Sequence, residues 1–135
     1  MTSPNLLTFL SASFAVLMIG SMVPISAEAA EPQLAHAVYF TLKDPSPKSR
    51  EAFIASCDKY LTKHKGAVSY TIGTMAEDVK EPVSDREFDV ALHVVFDNKA
   101  ALAAYLKSER HDKFVAENKD GFAKVRVFDS YVSPK

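Results

Sequence analysis

The segment LAHAVYFTL, Leu34 to Leu42, constrains the fold more than any other stretch of the chain. It is rich in β-branched and aromatic residues. Its alternate positions form two sets: Leu34, His36, Val38, Phe40, Leu42 and Ala35, Ala37, Tyr39, Thr41. Neither set is polar enough to face water along its whole length. The segment therefore predicts a strand buried, or nearly so, on both faces.

The segments that follow supply cover for one of those faces. KDPSP breaks the strand, and SPKSREAFIASCDKYLTKHKG then reads as a helix. Ser46 is its expected N-cap, Pro47 its first residue and Gly66 its stop. Phe53, Cys57, Leu61 and His64 recur at helical spacing, with Ile54 beside them. AVSYTIGTM, Ala67 to Met75, predicts a second strand, and AEDVKEPVSDRE a polar, solvated loop. FDVALHVVF, Phe88 to Phe96, predicts a third strand with Phe88, Val90, Leu92, Val94 and Phe96 on one face. DNKAALAAYLKSERHDKFVAENKDG is helical again, capped by Asp97 or Asn98, and FAKVRVFDSYV, Phe122 to Val132, is the fourth strand.

The order is βαββαβ, which predicts an α+β, ferredoxin-like domain: a four-stranded antiparallel sheet with helices on one face. The other face then carries Ala35, Ala37, Tyr39, Ala91 and Val95, too apolar to stay wet. A two-fold homodimer packing sheet on sheet, a dimeric α/β barrel, covers them.

Of the 135 residues, the first thirty are expected to be a signal peptide and residues 31–135 one domain. Leu6 to Gly20 is an uncharged apolar run, and Ala27-Glu28-Ala29 suits a signal peptidase. The n-region MTSPN lacks Lys and Arg, so an uncleaved anchor is the alternative. Export implies a secreted or periplasmic protein, free of the membrane once cleaved. The leader holds one acid, Glu28, so 16 acidic side chains remain against 16 basic ones. That balance argues against nucleic acid or an anionic membrane as partner. The lone Cys57 forms no internal disulfide, so core or partner must hold the domain. Neither a metal-spaced His/Cys cluster nor a glycine-rich loop occurs, and no metal or cofactor is expected.

Over Leu34 to Val132 the sequence resembles the stress-responsive A/B barrel (Dabb) proteins, which are dimeric ferredoxin-like barrels. The resemblance rests on the histidine early in LAHAVYFTL, on FDVALHVVFDNKAALAAY, on His111 after the helix break and on VFDSYV. A plant polyketide cyclase of that family uses a tyrosine and a histidine at the positions of Tyr105 and His111, and has a pocket histidine matching His36. Two features of the pattern are absent. A further pocket histidine falls on Val90, and SERH stands where HPxH is usual. His93 shares the strand of Val90 but has the opposite parity.

Tyr105 and His111 are six residues apart, which leaves them about 120° apart on an unbroken helix. They converge only if the helix breaks, and Ser108 can cap a second helix starting at Glu109. A pocket could then open between sheet and helices, lined by His36, Val38, Phe40, Phe53, Cys57, Leu92, Leu102 and Phe114 beside the pair. An imidazole and a phenol there suit acid–base work on a keto compound. Each residue also has a plainer reading: Tyr105 as core, His111 as solvated surface, His36 as a satisfied core histidine and Cys57 as an inert small hydrophobe. His64, between Lys63 and Lys65, is read as favourable charge at a helix end. Three functions follow: an exported homodimer binding a small apolar or aromatic molecule, a cyclase- or isomerase-like enzyme using Tyr105 and His111, or a structural dimer with a filled core.

Overall fold

The strand with two apolar faces lies inside the sheet. β1 (Gln33–Leu42) pairs antiparallel with β3 (Val90–Phe96) on one side and β4 (Phe122–Val132) on the other. β2 (Ala67–Thr74) adds to the far side of β3. The order β2-β3-β1-β4 and the helices between make a ferredoxin-like fold. The structure, a computed structural model, describes residues 31–133. The leader expected at residues 1–30 lies outside the described residues.

Three helices follow from local signals. Ser46 Oγ caps α1 (Pro47–Leu61) by accepting from Ser49 N at 3.3 Å. Asn98 Oδ1 caps α2 (Lys99–Leu106) by accepting from Ala101 N at 2.9 Å. α3 (Glu109–Asn118) follows after a break, and a short 3-10 turn, Lys119–Gly121, leads into β4. The core between helices and sheet holds Val38, Phe40, Phe53, Cys57, Leu61, Leu92, Val94 and Phe96. Phe40 and Phe53 meet edge-on, with ring centroids 4.8 Å apart.

Phe88 departs from expectation. The third strand starts at Val90, not Phe88, because Asp89 is held across the sheet. Its N–H donates to Phe40 O at 2.8 Å, and its Oδ2 accepts from Leu42 N at 2.8 Å. The bend there puts Phe88 on the face opposite Val90, with its ring 5.0 Å from that of Tyr39.

The helices stop short of β4. Val125, Val127 and Tyr131 pair with Phe40, Val38 and Leu34 and so share their face, yet stand exposed. On the face away from the helices, Ala35, Ala37, Tyr39 and Val95 are half-buried and Phe128 is exposed. Rings of Phe88, His93 and Phe128 surround Tyr39 there. An Arg126–Asp85 ion pair ties the loop after β2 to that face. No helix among the described residues is long and apolar enough to cross a membrane.

Candidate functional site

α2 carries Tyr105 and ends one residue later, which supplies the break that the tyrosine–histidine pair requires. One hydroxyl makes the joint. Ser108 Oγ donates to Tyr105 O at 2.7 Å and accepts from His111 N at 3.2 Å, closing α2 and capping α3 together. The rings of Tyr105 and His111 then meet edge-on, 5.0 Å between centroids.

Two more imidazoles reach the same tyrosine. His36 comes from β1, with its ring centroid 6.0 Å away, and His64 from the α1–β2 turn at 4.8 Å. Phe96 of β3 completes the enclosure at 5.1 Å. His36 is buried, and its Nδ1 donates to Asp129 Oδ1 of β4 at 2.6 Å. A carboxylate oxygen only accepts, so Nδ1 carries a hydrogen and the lone pair of the neutral ring sits on Nε2.

His64 keeps the helix-end place read for it and also reaches a site that the sequence did not assign it. α1 stops at Leu61, and Lys63 enters the left-handed region with φ 56°, followed by Gly66 at φ 81°. This reversal carries the His64 ring back over the helix end. Its Nε2 donates to Tyr60 O at 2.8 Å, which fixes that nitrogen as the protonated one. Asp129 was also missed. The signal for it was strand register, since it stands directly opposite His36 in the β1–β4 ladder.

The remaining pocket candidates lie elsewhere. Val38, Phe40, Phe53, Leu92 and Phe114 are packed together with Cys57 and Leu102 in the core. Phe53 also edges a cleft of about 310 Å³ with Leu42 and Phe122, remote from the histidines in the fold. The clefts nearer the site lie where helix cover ends. One, of about 240 Å³, runs between α2 and β4 past Leu34, Leu102 and Asp129. A second, of about 530 Å³, shares its Lys99 and Tyr131 and continues to Ala100 and Ala103. Asp129 is thus open to the cleft on one side and bonded to His36 on the other. Val90 is buried in the core and His93 lies on the open face, 3.3 Å from Tyr39 Oη.

Burial sets the electrostatics. It lowers the basicity of His111 below the ordinary histidine value; the pull of Asp112 opposes this, and repulsion from His36 and His64 adds to it. His111 is accordingly a neutral proton acceptor near pH 7. Burial, with Cys57 nearby adding, pushes the Tyr105 phenol above its ordinary value, so it stays a donor. Burial pushes the Cys57 thiol up to about 12, with Asp58 adding, which makes it no nucleophile.

Comparison with known proteins agrees with this fold. Structurally similar proteins include a Dabb family protein from Mesorhizobium loti, with TM-score 0.64, 22% identity and coverage of 77% of this chain and 100% of that one. They include a hydroxynitrile lyase from Passiflora edulis, with TM-score 0.62, 21% identity and coverage of 78% and 97%. A dimeric ferredoxin-like protein of unknown function from Thermobifida fusca has TM-score 0.62, 16% identity and coverage of 76% and 92%. At these identities the likeness is one of fold. No curated protein matches the sequence. The Stress responsive A/B Barrel Domain (Dabb) profile matches residues 34–132, nearly all of the described chain. The chain belongs to the stress-responsive A/B barrel, or Dabb, family.

Proposed function

We propose that this protein is an exported homodimer that binds a small apolar or aromatic molecule at the Tyr105 site. One observation carries the reading: three imidazoles, one backed by a carboxylate, enclose a buried tyrosine beside a mostly apolar cleft. Polar groups converging beside an apolar cleft are the usual form of a small-molecule site. The ligand would enter between α2 and β4, with its polar end toward His36 and Tyr105. Leu34 and Leu102 would line its apolar path. The dimer would close over the open face of the sheet around Tyr39 and Phe128; the Thermobifida fusca relative is described as dimeric.

A second reading makes the site catalytic. The His36–Asp129 pair and the depressed basicity of His111 favour it. His111 would take a proton from carbon beside a carbonyl, and the Tyr105 hydroxyl would donate a hydrogen bond to the developing enolate oxygen. That chemistry serves isomerisation or ring-closing condensation of a keto compound. A fold neighbour bearing an enzyme's name, the Passiflora edulis hydroxynitrile lyase, supports this reading.

Native mass spectrometry of the protein from its own host tests binding. A dimer carrying an extra small mass, lost in Tyr105→Phe and His111→Ala, is the expected result. An empty dimer, identical in the variants, points instead to a structural protein with a filled core. With the ligand in hand, its conversion to a product by the wild type separates catalyst from carrier.

A further inference from the structure

His64 is in the wrong place for a surface residue. It comes from a turn of five residues between α1 and β2, between two lysines that are exposed while it is half-buried. Reaching Tyr105 requires Lys63 to hold φ 56°, a conformation that a residue with a Cβ adopts at a cost of about 1 kcal/mol. The Nε2–H to Tyr60 O bond then locks the ring, and its plane stands at 89° to that of Tyr105. A ring held by a strained turn and a hydrogen bond to a helix end is a positioned group.

We propose that His64 is a positioning residue of the Tyr105 site: it holds the tyrosine ring edge-on and opposes a second positive charge beside His111. The inference rests on the reading of Tyr105 and His111 as the working pair. Its physical basis is that three imidazoles share one tyrosine ring. A proton on any one of them raises the free energy of placing another nearby. Other ionisable groups lie around the set, Lys63 and Lys65 beside His64 in its turn among them. β1 brings His36, with Asp129 of β4 behind it. α1 brings Cys57, β2 brings Tyr70 and α3 brings Asp112. Asp112 attracts a proton to His111, whereas His36 and His64 repel it. The turn thus tunes a proton acceptor on another element without touching the ligand.

The test needs no ligand. Imidazole resonances of the full-length protein are followed by NMR as pH is varied, in the wild type and in His64→Gln, His64→Phe and His111→Gln. Phe keeps the ring edge against Tyr105 and removes the charge; Gln keeps a donor for Tyr60 O. Coupling is reciprocal, so it raises the midpoint of whichever partner titrates second once the other is removed. The His64 and His111 rings lie 4.8 and 5.0 Å from that of Tyr105, so we expect His111 to rise in both His64 variants, or His64 to rise in His111→Gln, by about 0.3 pH unit or more, the effect of a unit charge within about 10 Å in a watery dielectric. If neither midpoint moves, His64 is mere packing and the proposal is overturned. The reciprocal variant leaves the turn intact, so a misfolded His64 variant does not remove the test. Ligand capture by the wild type can succeed or fail independently, which keeps this result separate from the proposed function.

Discussion

His36 Nδ1 and Asp129 Oδ1 stand 2.6 Å apart, and the two residues are direct partners in the β1–β4 ladder. The imidazole is buried and the carboxylate about half-exposed, at 6% and 47% side-chain exposure. β4 therefore does more than complete the sheet: it supplies the group that fixes the His36 tautomer. Removing that acceptor leaves a buried N–H unpaired. We expect Asp129→Ala to lower stability by about 1 kcal/mol, a drop of several degrees in melting temperature for a domain of this size. Asp129→Asn should lose less, because its amide oxygen accepts the same hydrogen bond. Calorimetry ranks the two; a wild-type melting temperature in Asp129→Ala would show that the pair adds nothing to stability.

His111 should make the fold sensitive to mild acid. Its basicity is depressed in the folded state, chiefly by burial, from an unfolded value near 6.5. Between the folded and unfolded values the unfolded chain binds more protons, so stability rises with pH there. The contribution is complete above about pH 6.5 and is lost as pH falls through that point toward the folded value. Urea unfolding at pH 7.5 and 5.5 should show a larger loss for the wild type than for His111→Gln. Equal losses would place His111 in open solvent.

Cys57 should be inert until the protein opens. It has 0% exposure, and its thiol is pushed up to about 12. Only the thiolate reacts with disulfide reagents. At pH 8 we expect the folded protein to react no faster than it unfolds, and the urea-unfolded chain to react at the ordinary rate. Prompt labelling of the native protein would mean that α1 lifts from the sheet readily.

Where local chemistry decides the structure, the sequence was legible. Ser46, Asn98 and Ser108 are caps recognisable by residue type, and all three accept the expected backbone N–H. The alternation of β1, apolar on both faces, by itself demands a place inside the sheet. What escaped depends on distant partners. Phe88 changes face because Asp89 is bonded to β1, a tertiary constraint that periodicity cannot register. His64 turns inward through a left-handed lysine, a conformation that its residue type does not announce. Asp129 is separated from His36 by 93 positions, and only strand register joins them. An apolar helix face also reads the same whether the space before it is hollow or filled, so Phe40, Phe53 and Phe114 were legible as buried and not as packed on one another.

A charge on the open sheet face should separate the subunits of the proposed dimer. Phe128 is 54% exposed and its ring lies 5.8 Å from that of Tyr39. An exposed aromatic on a face this apolar gains most from a partner's cover. We expect Phe128→Asp to sediment as a folded monomer at concentrations where the wild type is a dimer. An unchanged dimer would move the interface to another surface.

Gly66 should be irreplaceable, and for two separable reasons. Its φ of 81° disfavours any residue with a Cβ. A Cβ there would also lie 2.6 Å from Ala101 Cβ on α2, too close without a shift of backbone. The same residue's carbonyl accepts from Asp97 N at 2.8 Å, so the turn is fastened to the start of α2 and cannot simply swing away. We expect Gly66→Ala to lose about 2 kcal/mol or more, strain and overpacking together. Gly121→Ala should stay within about 0.5 kcal/mol of the wild type, since nothing lies within 4 Å of its added methyl. Trimming the opposing atom in Gly66→Ala/Ala101→Gly should recover the overpacking part and leave the strain. Because the α1–β2 turn also presents His64, the His64 imidazole resonances of Gly66→Ala should move, while those of Gly121→Ala should not. Equal stabilities for the two alanine variants would mean that the turn is not held as the structure describes.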